Sequence, residues 1–282
     1  MGKEIRTPVQ PAESQNRPVR HILSISGGKD SAALAVYMRD RVAEMEYVFC
    51  DTHEELPETY EYIDKLEAFL GRPIVRLNPD RPFSHHLAIK GGYLPSARMR
   101  WCTEQLKIKP FEEFVGDDPV LSYIGIRADE DREGYISHKP NIRPVYPFKD
   151  DGLTITDVHR LLESSGLGMP GYYSWRTRSG CYFCFFQRQI EWVGLLENHP
   201  DLFEKARQFE HHNAASGQRY TWADGESLDD VARPDRIKQI RAAHAVTMER
   251  LAKQRSRIAL VDLFSEAMHS QETDEACLVC HL

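Results

Sequence analysis

Two glycines, a lysine, an aspartate and flanking serines stand together at Ser24-Ile25-Ser26-Gly27-Gly28-Lys29-Asp30-Ser31. Residues of these types suit a phosphate site. Glycine lets backbone approach an anion, the first free amides of a helix point at it, and lysine adds formal charge. The hydroxyls of Ser24, Ser26 and Ser31 can donate further hydrogen bonds. The spacing is not that of the GxxxxGK[ST] phosphate loop. A glycine turn serving packing alone is the other reading, and the adjoining Lys29 and Asp30 fit it poorly.

A second set is thiol chemistry. The six cysteines are Cys50, Cys102, Cys181, Cys184, Cys277 and Cys280, and the last four form two CxxC pairs. With no export signal in view, such spacing points to metal or redox chemistry rather than structural disulfides. Cys181/Cys184 with Cys277/Cys280 would make a tetrahedral zinc site. Cys102 with Cys181 and Cys184, completed by Cys280 or Cys277, would instead make a [4Fe–4S] site. Cys50 lies inside an apolar run and reads as a small core residue.

The elements that must position these groups alternate. His21–Ser26 reads as a strand running into a helix over Ala32–Met38, and Glu46–Asp51 as a second strand. Pro57 to Leu70 reads as a helix, with proline in its first turn and Gly71 as its stop. Ile74–Leu77 and Val120–Ile126 are further strands, Glu104–Val115 and Thr154–Ser164 further helices, and Asn141–Phe148 an extended stretch. Asn78 to Arg100 reads as a long loop. Alternating strands and helices predict an α/β fold, a parallel twisted sheet with helices on both faces. Ligands of such sheets bind beyond the carboxyl ends of the strands, where both the glycine loop and Asp51-Thr52 fall. The expected division is a flexible arm over 1–20, a nucleotide-binding domain over 21–165, and a smaller, mainly helical, cysteine-containing region over 166–282.

Bulk composition narrows the class. A chain of 282 residues with 41% hydrophobic and 28% charged residues can bury a sizeable core. Its net charge of −7 does not advertise nucleic acid, although the stretch from Arg233 to Arg257 is locally basic. No run approaches the roughly eighteen apolar residues of a membrane span. The polar first residues lack the apolar centre of a signal peptide, so a cytoplasmic protein without membrane partners is expected.

Four stretches in order carry a family resemblance. SGGKDS resembles the pyrophosphate loop of the PP-loop ATP-pyrophosphatase superfamily. Val48-Phe49-Cys50-Asp51-Thr52-His53-Glu54-Glu55-Leu56-Pro57-Glu58-Thr59-Tyr60 resembles the DTG..FPET segment of phosphoadenosine-phosphosulfate (PAPS) reductases. Ile124-Gly125-Ile126-Arg127-Ala128-Asp129-Glu130-Asp131-Arg132 resembles their GIRADES..R element, and Arg100-Trp101-Cys102-Thr103 through Pro110 takes the place of their cysteine-plus-RK..P segment. The resemblance is to the PAPS reductase-like branch and implies an adenine-nucleotide α-hydrolase-like fold. Two departures bear on the reaction. The Glu-Cys-Gly-x-His tail of true reductases is replaced by Glu275-Ala276-Cys277-Leu278-Val279-Cys280-His281-Leu282, and Cys102 stands without an adjacent cysteine. With Gly180-Cys181-x-x-Cys184 downstream, the form looks closer to the ATP-pyrophosphatase component of DNA phosphorothioation systems (DndC/SspD type) and to phage and defence-island proteins.

The resemblance implies roles. Ser24, Ser26, Gly27, Gly28, Lys29, Asp30 and Ser31 would hold the nucleotide phosphates and Mg²⁺, with Lys29 stabilising charge on departing pyrophosphate. Asp30 would be a Mg²⁺ ligand or a loop-orienting residue. Asp51 and Thr52 would contact nucleotide, or form an ordinary turn. Arg127 and Arg132 would bind phosphate through forked hydrogen bonds, or pair with Asp129 and Glu130. Lys29, Asp30 and Arg127 are the catalytic candidates. The family analogy favours the iron–sulfur cluster over zinc. The aromatics of Tyr172-Tyr173-Ser174-Trp175 and Tyr182–Phe186 would shield a cluster, stack on bases, or pack in the core.

Three functions follow as expectations. The first is an ATP pyrophosphatase that adenylates an acceptor for sulfur transfer, the acceptor being a DNA backbone phosphate and the partners a cysteine desulfurase and other modification-system subunits. The second is a PAPS or adenosine-phosphosulfate reductase making sulfite, with a tail thiol as nucleophile and a thioredoxin-type donor. The third is a nucleotide-sensing subunit of a defence complex.

Overall fold

The computed structural model describes residues 17–131, 137, 139–213, 218–223 and 225–256. Strands β1 (Arg20–Ser24), β2 (Met45–Cys50), β3 (Ile74–Leu77), β4 (Val120–Tyr123) and β5 (Ile142–Val145) form one sheet in the order β3-β2-β1-β4-β5. Every pairing is parallel. Between and after the strands lie α1 (Lys29–Met38), α2 (Pro57–Leu70), α3 (Phe83–Ile89), α4 (Trp101–Thr103), α5 (Lys109–Val115), α6 (Pro147–Asp150) and α7 (Ile155–Ser164).

Side-chain alternation places these helices. Leu23, Tyr47 and Phe49 point to one face and pack with α1, α2 and α7. Ile22, Val48 and Cys50 point to the other and pack with Phe111 and Val115 of α5. Both faces are therefore buried, as a parallel sheet requires. The expected α/β architecture is the observed one.

Several boundaries differ from the sequence reading. α3 interrupts the expected loop, because Phe83 and Leu87, one turn apart, are both buried. The helix expected from Glu104 begins at Trp101, and its middle, Glu104–Ile108, is widened so that the Lys109 amide donates to the Glu104 carbonyl. Pro110 follows immediately; it has no amide to donate and its ring would press on the Leu106 carbonyl of a regular turn. β4 stops at Tyr123 rather than Ile126, where Gly125 comes so close to the Asp30 carbonyl that a Cβ would lie 3.0 Å from it. The extended stretch after Asn141 gives way to α6 at Pro147.

Beyond a short helical turn at Gly171–Ser174 come α8 (Gln189–Asn198), α9 (Pro200–Phe209), the antiparallel pair β6 (His211–Asn213) and β7 (Gln218–Tyr220), α10 (Leu228–Val231) and α11 (Pro234–Ser256). They gather around Trp192 and Trp222, with Phe83 and Trp101 supplied from before β4. The expected arm over 1–20 lies outside the described residues except for 17–20, and Arg20 already belongs to β1. Arg132 and the tail cysteines Cys277 and Cys280 also lie outside them. No helix among the described residues is long and apolar enough to cross a membrane.

Candidate nucleotide and thiol site

Strand order reverses at β1, which is flanked by β2 on one side and β4 on the other. The chain leaving β1 turns at Gly27 (φ +73°) and enters α1 at Lys29. Ser31 ties the turn together: its hydroxyl donates to the Gly28 carbonyl (3.1 Å) and accepts from the Ser26 amide (3.1 Å). Gly27 admits no side chain, since a Cβ would lie 2.5 Å from Thr59 Cγ2 on α2. Ser24 Oγ is buried without a hydrogen-bond partner among the described residues. The result is a backbone cup at the carboxyl edge of the sheet, with Lys29 and Asp30 both buried at its rim.

Arg127, at the end of the loop after β4, is 4% exposed and surrounded by carboxylates. Its Nη1 donates to Asp30 Oδ1 (2.8 Å) and lies 2.7 Å from Glu130 Oε1, while Nε donates to Asp129 Oδ1 (2.9 Å). Burial alone would lower its pKa, but Asp30, Glu130 and Asp129 outweigh that and hold it above the usual range. Of the alternatives left open by the sequence, the ion pairs are the contacts present. Asp30 is oriented by them, with Oδ2 lying 3.3 Å from Lys29 Nζ.

At the end of β2, Asp51 Oδ1 accepts from the His53 amide (2.9 Å) and the Tyr60 hydroxyl (2.8 Å). These bonds brace a turn in which His53 has φ +61°. Thr52 faces the thiols: its hydroxyl lies 3.2 Å from Cys181 Sγ and donates to Glu55 Oε1 at 3.2 Å. Glu55 and Lys107 form a buried pair, Oε1 to Nζ 4.0 Å. Burial raises the pKa of Glu55, with Lys107 acting against it. For Lys107 burial acts downward, but Glu55 and the neighbouring Cys181, Cys50 and Cys184 outweigh it and hold its pKa above the ordinary lysine value.

Cys102, Cys181 and Cys184 converge beside Lys107. The Cys184 amide donates to the Cys181 carbonyl (3.0 Å), closing the CxxC turn. Burial, reinforced by nearby Cys184, pushes the Cys102 thiol up to about 11. Burial also raises Cys181 well above the ordinary thiol range, with Glu55 adding to the effect. Among the described residues no group of three or more His, Cys, Asp or Glu side chains could hold a metal ion. The thiols lie near two basic side chains, Lys107 and Arg100, the latter influenced by Cys102 and Cys184. Cys50, 1% exposed, belongs to the core behind the sheet.

The region beyond 166 also reaches the glycine loop. Tyr172 donates to the Gly27 carbonyl (2.8 Å), and the Tyr173 hydroxyl accepts from the Lys29 amide (3.3 Å). Ser179 donates to Ser26 Oγ (3.3 Å). Tyr172, Tyr182 and Phe183 are core residues around which Tyr173, Trp175 and Phe185 pack. Glu55, Lys107 and Ser179 were not singled out from sequence, and Tyr173 was named only within an aromatic cluster. The first two lie inside the quoted motif stretches, whereas nothing local marks Ser179.

Residues 20–144 match the family model described as the phosphoadenosine phosphosulfate reductase domain. An uncharacterized protein of Methanocaldococcus jannaschii is 27% identical over 224 residues, which make up 73% of this chain and 45% of that protein. The chain thus spans about half the length of this archaeal relative. An uncharacterized 37.8 kDa protein of Escherichia phage 186 is 25% identical over 262 residues, covering 71% of this chain and 77% of its own length. The crystal structure of PAPS reductase from Candida auris in a phosphate complex is similar at a TM-score of 0.46 and 14% identity, over 57% of this chain and 81% of that one. Residues 20–144, less than half of the chain, are thus similar to the phosphoadenosine phosphosulfate reductase domain.

Proposed function

We propose that the protein is an ATP pyrophosphatase that adenylates an acceptor for sulfur transfer, in DNA phosphorothioate modification. One observation carries this reading: Cys181 lies 3.2 Å from Thr52, at the strand end beside the glycine loop, so thiols and a phosphate cup share one edge of the sheet. An acceptor oxygen attacks the α-phosphorus of ATP, the bond to the bridging oxygen breaks, and pyrophosphate leaves. A sulfide-level sulfur nucleophile then attacks the adenylated phosphorus, the P–S bond forming as the P–O bond to AMP breaks. The amides of the glycine loop and Lys29 stabilise charge on the departing pyrophosphate. Asp30, held by Arg127, would meet Mg²⁺ or orient the loop. Cys102, Cys181 and Cys184, with Cys280 or Cys277 as a fourth ligand, would hold a [4Fe–4S] cluster, whose chemistry is the delivery of sulfur or electrons; zinc is the alternative occupant. A cysteine desulfurase and the other modification-system subunits are the proposed partners, and the cytoplasm the proposed location.

The family match favours a second reading, a sulfonucleotide reductase that takes PAPS or adenosine phosphosulfate to sulfite with a thioredoxin-type donor. Anaerobic incubation with Mg²⁺ and ATP, resolving AMP plus pyrophosphate from ADP plus phosphate, separates the two. AMP and pyrophosphate, lost in Lys29→Ala, are expected. Absence of ATP cleavage with and without DNA, together with sulfite release from a sulfonucleotide, would replace the first reading by the second.

A further inference from the structure

Residues 176–182 run across the ends of both β1 and β2. Thr177 is fastened at one end, its amide and hydroxyl donating to buried Glu191 Oε1 (2.8 and 2.6 Å). Tyr182 is fastened at the other, its amide donating to the Glu54 carbonyl (2.8 Å). Between these anchors the backbone wraps the buried Arg176 guanidinium, which donates to the carbonyls of Gly180 (3.1 Å) and Cys181 (2.9 Å). Gly180 has φ +133°, a conformation that only glycine adopts readily.

Within this short span, Ser179 meets the glycine loop and Cys181 meets Thr52 and Glu55. Ser179 stands against the face of Gly28, where a Cβ would lie 2.7 Å from its hydroxyl oxygen. A phosphate held beside Gly28 would therefore lie next to Ser179. The Ser179 hydroxyl can then exchange its 3.3 Å bond to Ser26 for one to the anion, and hydrogen bonds to charged acceptors are the stronger kind. With Thr177 and Tyr182 fixed, a shift of Ser179 is taken up by Gly180 and Cys181.

We infer that Ser179 is a phosphate ligand supplied by the region beyond 166, and that its engagement with phosphate repositions Cys181, so that occupancy of the glycine loop sets the accessibility of this thiol. The inference rests on the phosphate-site reading above. It links the two halves of the proposed reaction: nucleotide binding is signalled to the thiol group through two peptide units.

The test uses the full chain, chelator-treated and kept anaerobic. Binding of Mg²⁺–pyrophosphate and Mg²⁺–ATP is measured by calorimetry, and the alkylation rate of Cys181 by iodoacetamide is followed by peptide mass spectrometry. Buried Cys50 serves as the control for global opening. Wild type should bind both probes, and saturating probe should change the Cys181 rate severalfold while Cys50 stays protected. Ser179→Ala should bind roughly tenfold more weakly and, at saturation, lose the effect on Cys181; Ser179→Thr, which keeps the hydroxyl, should restore both. Binding to wild type with no change at Cys181 overturns this inference and leaves the phosphate site intact. Failure of wild type to bind either probe overturns both.

Discussion

Arg127 Nη1 donates to Asp30 Oδ1 at 2.8 Å, joining the loop after β4 to the first turn of α1 across the point where strand order reverses. The contact fixes Asp30 in the same turn that presents Lys29. Arg127 is thus a positioning residue for the glycine loop, its charge answered by Asp30, Asp129 and Glu130.

Removing that charge should be costly. Arg127→Met leaves three carboxylates facing one another, and the Asp129 side chain is fully buried. A loss of about 3–5 kcal/mol in urea unfolding is expected. Arg127→Lys keeps the charge without the fork and should recover part of it. A change below about 0.5 kcal/mol for Arg127→Met, the range of ordinary surface substitutions, would show that the network does not hold the loop.

The two loop glycines should separate folding from binding. Gly27→Ala forces alanine to φ +73° and drives a methyl to within 2.5 Å of Thr59 Cγ2, so at least about 2 kcal/mol of stability should go. Combining it with Thr59→Ser, which removes Cγ2, should return the steric part but not the backbone part. Gly28→Ala sits at an ordinary backbone conformation and puts a methyl 2.7 Å from Ser179 Oγ and 3.1 Å from Ser179 Cβ, so it should cost less stability than Gly27→Ala while calorimetric ATP binding is lost. Equal destabilisation by the two substitutions would contradict this geometry.

What the sequence disclosed follows from which contacts are local. The glycine loop, the strand ends and the capped helices are written in neighbouring residues: Gly71 stops α2 at φ +64°, and Thr154 with Asp157 caps α7. Both-face burial of the sheet was legible because β1 and β2 are apolar throughout their inner residues. Of the partners of Arg127, Asp129 and Glu130 were legible as neighbours in sequence, whereas Asp30 was not, because only the approach of the loop after β4 to α1 brings it there. Ser179, and the contact of Tyr173 with the loop, were not legible for a related reason, since both depend on a segment returning from beyond 166. α3 was missed because only Phe83 and Leu87 mark its buried side.

Glu55 and Lys107 should show strong coupling. The Glu55 side chain is 1% exposed, and the 4.0 Å pair stands within a group of thiols. Lys107→Met strands a buried carboxylate, for an expected loss of about 3–5 kcal/mol in urea unfolding of the metal-free chain. Glu55→Gln strands the ammonium in turn. The double substitution should cost less than the sum of the two, by more than about 1 kcal/mol. Simple additivity would mean that the two charges are compensated by other groups.

Cys50 offers the pH test. Its thiol, 1% exposed, donates to the Lys107 carbonyl at 3.5 Å, and burial pushes its pKa up to about 12, with the Lys107 charge acting against that. An unfolded thiol ionises near pH 8.5. The folded state therefore keeps a proton that the unfolded chain gives up. The resulting stabilisation is fully present below the unfolded value and is lost as pH rises toward the folded one, because the unfolded state gains free energy by ionising. Between about pH 9 and pH 11, Cys50 should contribute a decline of about 1.4 kcal/mol per unit to the unfolding free energy. Cys50→Ala has no such proton, so its urea stability should fall less steeply than that of wild type over the same interval. Identical slopes would mean that the Cys50 thiol ionises within the folded core as readily as in the unfolded chain.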